Sequence, residues 1–394
     1  MVIPSETSTR KGDRVLTWET LPFYLGGFLG PFGTLVVISI YPELRESFDA
    51  TSGQVNWSFS GYFIPMAVLL LVSGTIGERL GRRRVIRITF LSYGAASLLC
   101  IVAPTLGWFV GARVLQGVCN AFITPLLIAG LTEVTAAARL GRAIGVYSSF
   151  QAAGGALAPF VGGLLATIDW RLVFVVVAVV AFVLSTRPPS GEPRPATAAP
   201  PIKPLLTGRM SLLWIASFTA AAGPIGIGVV VGLFLRDELN VSSTTAGAVL
   251  LLGGISAMVL GPVWGRLLDS WGAVRASAVS TTAAVVLTAP IGLLTGIPLT
   301  ALAWIAASAV IGFVVVNIQN LAATAVPDNR GGALSSVLAF RFIGHAVGPM
   351  IWVPVFDTSA ALAFVGAAAL GLVMVATLVA AATTAPARDG MVVP

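Results

Sequence analysis

The sequence predicts an all-α polytopic membrane protein, with twelve spanning helices in two pseudo-symmetric six-helix bundles. Three observations carry this. Apolar runs of about 20 residues, the length that crosses a bilayer, recur along the whole chain. The composition is 56% hydrophobic and 10% charged, with a mean hydropathy of +0.93, where soluble domains carry about 25% charged residues. The two halves also repeat. Gly74, Glu78 and Gly81 recur 191 residues later as Gly265, Asp269 and Gly272, and the stretch 154–159 recurs 190 residues later as 344–349.

Residues 1–20 are polar and charged, without the short apolar core of a cleaved signal peptide, and read as a cytoplasmic tail. The N-terminal bundle, 21–186, holds spans over 21–40, 55–76, 85–103, 108–131, 143–166 and 172–185. Residues 187–209 then hold seven prolines and four cations. Such a segment cannot continue a helix and is too polar to insert, so it reads as a cytoplasmic linker. The C-terminal bundle, 210–383, holds spans over 212–235, 246–264, 273–297, 299–326, 333–355 and 360–382. Residues 384–394 form a second cytoplasmic tail.

The net charge of +7 does not point to nucleic acid, because the cations are sorted by position. On these spans 18 of the 23 Lys and Arg fall on one side, three on the other (Arg45, Arg171, Arg236), and two inside helices (Arg113, Arg341). Positive charge held on the cytoplasmic side orients a membrane chain. Cys100 and Cys119 lie inside apolar runs, so no disulfide or metal spacing follows from them. There is no phosphate-binding Gly-x-x-x-x-Gly-Lys-Ser/Thr string, catalytic pair or metal-ligand cluster, so the sequence reads as neither an enzyme nor a nucleotide-driven pump.

Between the second and third spans the chain reads Gly74-Thr-Ile-Gly-Glu78-Arg79-Leu-Gly81-Arg82-Arg83-Arg84, with Arg87 close behind. So many charges exclude hydrocarbon, and the glycines allow a sharp turn. This pattern resembles the loop signature of the major facilitator superfamily, with Glu78 where the family usually has Asp. The resemblance implies a carrier whose two bundles rock about a site at their interface near mid-membrane. It also implies that Gly74, Glu78, Arg79, Gly81 and Arg82, with Asp269 as the second copy, help fasten the halves on the inner side. The plainer reading is a solvated basic loop that only sets topology.

Two further motifs place the chain near the drug:proton antiporters of that family. Arg113, Gln116, Gly117 and Asn120 share one face of the fourth span and resemble the Arg-x-x-Gln-Gly motif tied there to proton transfer. An Arg so deep costs roughly 2.5 kcal/mol or more and normally faces a cavity or a partner. The alternative is a structural Arg bonded to neighbouring carbonyls. In the fifth span, Gly154-Gly155-x-x-Ala158-Pro159-x-x-Gly162-Gly163 resembles the antiporter motif, with Ala158 replacing one glycine. Its repeat carries Gly344, Gly348 and Pro349. Small residues four apart allow close helix approach and proline adds a bend, so packing is the competing role. The Asp169-Trp170-Arg171 loop also resembles the drug-exporter pattern.

The chain departs from those exporters at Gly33, where related longer ones have Asp, and no acid falls deep in a span; Glu133 comes nearest. Embedded polar groups are instead cationic or neutral. Arg341 and His345 stand four apart in the eleventh span, and Gln151 is the repeat mate of Arg341. Asn317 and Asn320 share a face of the tenth span, while Phe28, Phe32, Phe63, Trp214 and Phe218 offer rings for an amphipathic ligand. Packing is the alternative for each ring and for His345. The expected substrate cavity is Phe32, Gln116, Asn120, Gln151, Trp214, Phe218, Asn317, Asn320 and Arg341, with proton coupling or anion contact at Arg113 and His345. The resemblance implies a monomeric, proton-driven exporter of small organic molecules without a bound cofactor or metal. A second reading keeps the fold and changes the cargo: two embedded arginines make a positive cavity suited to an organic anion or metabolite, with no requirement for protons.

Overall fold

The computed structural model describes residues 16–188 and 203–384. The first 15 residues, the last ten and most of the proline-rich linker lie outside the described residues. Among the described residues the long helices group into twelve segments. The N-terminal half holds α1 (Leu21–Phe48), α2 (Ser52–Leu80), α3 (Arg82–Ile101), α4 (Leu106–Val134), α5 (Ala137–Ala166) and α6 (Leu172–Thr186). The C-terminal half opens with α7, which runs Gly208–Ala222, unwinds, resumes at Gly228–Leu233 and ends in a π-helical turn, Phe234–Glu238. Then come α8 (243–271), α9 (273–288), α10 (Ile297–Ala325), α11 (Arg330–Phe356) and α12 (Ala360–Thr383).

The helices outrun the apolar stretches that mark them. α1 continues eight residues past Ile40 through the charged turn Tyr41–Phe48, because a helix need not stop where hydrocarbon stops. α7 is broken where a continuous span is expected. Gly223, Pro224 and Gly226 explain this: proline removes a backbone donor and glycine does not hold helical geometry. α1 has the matching irregularity, a 3₁₀ stretch over Val36–Ile40. Two single-residue corners are also related by the repeat. Gly81 (φ 89°) turns α2 into α3, and Gly272 (φ 74°) turns α8 into α9. A side chain would strain either backbone, and glycine takes it freely.

Within the halves, α2 packs on α4, α3 on α4 and α6, α1 on α5, and α7 on α11 and α12. Between the halves, α5 lies along α8 and α2 along α11. The outward faces carry Val68, Val183, Val286, Leu302 and Leu372, all more than half exposed. A ring of bare aliphatic side chains is stable against lipid and not against water.

Candidate transport pathway

The two ends of the molecule differ. At the end opposite the arginine loop, α5 and α8 touch backbone to backbone. The Ser243 hydroxyl donates to the Gly163 carbonyl at 2.8 Å, and a Cβ at Gly163 would overlap the Ser243 carbonyl. Following the same two helices toward the arginine loop, Gly145 on α5 and Gly261 and Gly265 on α8 have nothing within 4 Å of a Cβ. α2 and α11 also touch across the halves. They meet where the Ser60 hydroxyl donates to the Ala346 carbonyl at 2.7 Å, and through Phe63, stacked on His345 at 5.3 Å and tilted against Phe342 at 5.8 Å. These contacts between the halves, Ser243 with Gly163, Ser60 with Ala346 and Phe63 with His345, lie at the far end or near mid-depth.

Two ion pairs close that far end. Arg45 on α1 reaches Asp237 on α7 at 2.6 Å, and Arg236 on α7 reaches Glu43 on α1 at 2.6 Å. The arginines are repeat mates, 191 apart, and each crosses to an acid of the other half. Arg45 also donates to Ser52 at 3.0 Å. In the sequence Arg45 and Arg236 stand out only as far-side cations, and Glu43 and Asp237 carry no motif. The signal that could have found them is that two of the three far-side cations keep the repeat offset.

At the opposite end, Glu78 is bound within its own half. Arg82, itself buried, bonds Glu78 at 2.6 Å and Glu133 at 2.5 Å, tying α2, α3 and α4 together. Arg79 and Asp269 are exposed, and Gly74 sits beside Pro125 of α4. In this conformation none of them bridges the halves.

The polar face of α4 packs within its own half, as the structural alternative for Arg113 has it. Arg113 is wholly buried inside the N-terminal bundle and makes no contact with a shared chamber. Its Nε donates to the Ser58 carbonyl at 3.2 Å, Nη1 to the Gly33 carbonyl and the Gln116 side chain, both at 2.7 Å, and Nη2 to the Thr34 carbonyl at 3.1 Å. Tyr62 lies under the guanidinium at 4.5 Å. Gly33 and Thr34 lie just before the 3₁₀ stretch of α1 and Ser58 lies near the start of α2, so Arg113 ties α4 to both helices through backbone carbonyls. Gln116 passes the network to the Ser97 hydroxyl at 2.8 Å. Asn120 is buried against Met66, 3.0 Å from its sulfur. Neither Gln116 nor Asn120 lines a central cavity here; the face is filled by α1, α2 and α3.

The remaining candidates divide. Phe32 is buried and stacked on Phe28 at 5.4 Å. Gln151 donates weakly to Thr124 at 3.4 Å. Trp214 stacks on Phe340 at 5.2 Å and donates to Ser336 at 2.9 Å; Phe218 is half-buried on the same helix. Asn317 is fully buried and donates to Ser277 at 2.8 Å, so it binds α10 to α9; Asn320 is half-buried. Arg341 and His345 do come together on one face of α11, with His345 at the contact between halves. Among the small residues, Gly154 and Gly162 press on the backbone of α1, Gly155 meets Leu35, and Gly344 and Gly348 press on α7. Pro159 lies against Gly247 of α8, and Pro349 is buried within α11.

Two six-helix halves joined face to face, touching at one end and parted at the other, define a membrane carrier. The sequence matches the Major Facilitator Superfamily over residues 23–349, and the chain belongs to that family, whose members transport rather than catalyse. It is 33% identical to the multidrug efflux pump LfrA of Mycolicibacterium smegmatis over 52% of this chain and 43% of that one. It is 33% identical to the puromycin resistance protein pur8 of Streptomyces alboniger over 45% and 36%. The methyl viologen resistance protein SmvA of Salmonella typhimurium is 27% identical over 51% and 44%. Each match spans less than half of the relative's length. Among solved structures, a bacterial homologue of the human lysosomal transporter Spinster, inward-facing and unoccupied, superposes with a TM-score of 0.72 at 18% identity, covering 94% of this chain and 96% of that one. The human organic anion transporter MFSD10 gives 0.67 at 15% identity, covering 91% and 98%.

Proposed function

We propose that this chain exports small amphipathic organic molecules across the cytoplasmic membrane in exchange for protons, by alternating access. The observation that carries the reading is the asymmetry of contact: the halves are locked at the far end and apart at the arginine-rich end. The positive-inside bias assigns the arginine-rich end, both termini and the linker to the cytoplasm. This conformation would then load from within. The relatives named as drug efflux and resistance proteins support an organic cargo.

In the opposite conformation the far-end ion pairs part and the arginine-rich end closes. Glu78 and Arg79, with Asp269 as the repeat copy, are the groups we assign to fasten that end, where helix termini supply complementary partial charges. The proton needs a titratable carrier. Among the described residues no Asp or Glu lies at mid-depth. His345 does, and it sits where the halves touch, so we assign the proton to it. One chain holds both halves, so a monomer suffices.

Purified protein in liposomes tests this. Dye flux should respond to an imposed pH gradient, and His345→Gln should abolish the response while gradient-free dye exchange continues. A response unaltered by the substitution would move the proton elsewhere, and a wild type indifferent to the gradient would contradict the proton link.

A further inference from the structure

The two embedded arginines are held in opposite ways. Arg113 has four donor contacts and an aromatic ring beneath it. Arg341 has almost nothing. Its Nε is shut off from solvent and bonds to no atom. The ring of Phe342 lies beside it, with the guanidinium carbon 5.6 Å from the ring centre. Among the described residues no carboxylate pairs with it. It stands eleven residues into α11, about 16 Å from the helix start, beside a small hollow where α7, α10 and α11 meet, with Ser217 and Gln319 on its walls.

A guanidinium without a counter-ion in the middle of a membrane protein is costly, and such residues mark pathways. The repeat shows that the fold itself does not demand the charge. The equivalent position in the N-terminal half holds the neutral Gln151, satisfied by one weak bond to Thr124. What Arg341 adds over an amide is a fork of donors matched to two oxygens of one anion. Next to Arg341, Phe342 and Phe63 of α2 contribute rings in contact with each other, and Phe63 stacks on His345 one turn further along α11.

We infer that Arg341 is the specificity-determining anion subsite of the transport pathway: it takes the carboxylate, or another oxyanion, of an amphipathic organic substrate whose apolar body lies against Phe63 and Phe342. This rests on the exporter reading and narrows it, since a site so built rejects organic cations by like charge.

The test uses 5-carboxyfluorescein and rhodamine 123, xanthene dyes of similar size and opposite charge, with the full chain in liposomes. Arg341→Gln, which copies the residue at 151, should raise the KM for carboxyfluorescein by about tenfold or more, the loss of one charge-assisted contact. Arg341→Lys, which keeps the charge, should stay within about threefold of wild type. Rhodamine flux should not fall in either variant. A KM for carboxyfluorescein unchanged in Arg341→Gln, or equal loss of both dyes in Arg341→Gln and Arg341→Lys, overturns the subsite and leaves the exporter reading standing. Equilibrium binding of carboxyfluorescein, followed by fluorescence anisotropy, separates the two ideas when neither dye moves. Saturable binding lost in Arg341→Gln would keep the subsite and end the exporter reading; binding that is absent or indifferent to residue 341 would end the subsite.

Discussion

The reciprocal ion pairs at the far end should set how often that end opens. Arg236 and Glu43 are 2.6 Å apart with side chains 14% and 19% exposed; Arg45 and Asp237 are also 2.6 Å apart but 28% and 26% exposed. Screening by water keeps an exposed pair below about 1 kcal/mol, and the more sheltered pair merits about that or slightly more. Together they favour closure by about 2 kcal/mol, roughly a 30-fold bias in the ratio of closed to open. Arg236→Glu removes one pair and places two acids face to face. Spin labels at Glu46→Cys and Glu238→Cys, both exposed positions flanking the pairs, report the gap by electron–electron resonance. The distance distribution should move from a short to a long peak in Arg236→Glu. The reciprocal double change, Glu43→Arg with Arg236→Glu, should bring the short peak back. A single variant that leaves the distribution unmoved, or a double variant as open as the single, would refute the argument.

Arg113→Ala should cost stability more than transport chemistry. It strands the Gly33, Thr34 and Ser58 carbonyls, at about 1–3 kcal/mol for a buried acceptor left without its donor, and unfolding in detergent should shift to lower temperature. Asp357, just beyond α11, gives a pH test. Burial pushes its carboxyl up, against the pull of Arg45 and Ser52. A carboxyl raised in the folded chain is disfavoured as an anion, so its penalty is absent below the ordinary carboxylate value and appears as pH rises through the shifted one. Asp357→Asn should therefore unfold at higher temperature than wild type at pH 7, with the gap closing as pH falls toward about 4.

The fold was legible because lipid imposes it. Hydrocarbon length, sorted arginines and an offset repeated at Gly81 and Gly272 all survive in a bare sequence. The pathway was less so. Periodicity correctly put Arg113, Gln116 and Asn120 on one face, but it cannot say which neighbour that face meets. Arg113 answers to the backbone carbonyls of Gly33, Thr34 and Ser58, and carbonyls leave no mark in a sequence. The break in α7 could be read from Gly223, Pro224 and Gly226, yet hydrophobicity ran straight through it. The far-end pairs join residues about 190 positions apart, visible only once the repeat is used to superpose the halves.

The account depends on the far end parting during each cycle. Cysteines at positions 43 and 236, joined by a short bis-methanethiosulfonate linker, would hold it shut. In liposomes loaded with carboxyfluorescein, the linked protein should show no saturable dye flux, and dithiothreitol should return flux to the unlinked rate. Flux that continues undiminished through the linked protein would contradict alternating access between these two halves.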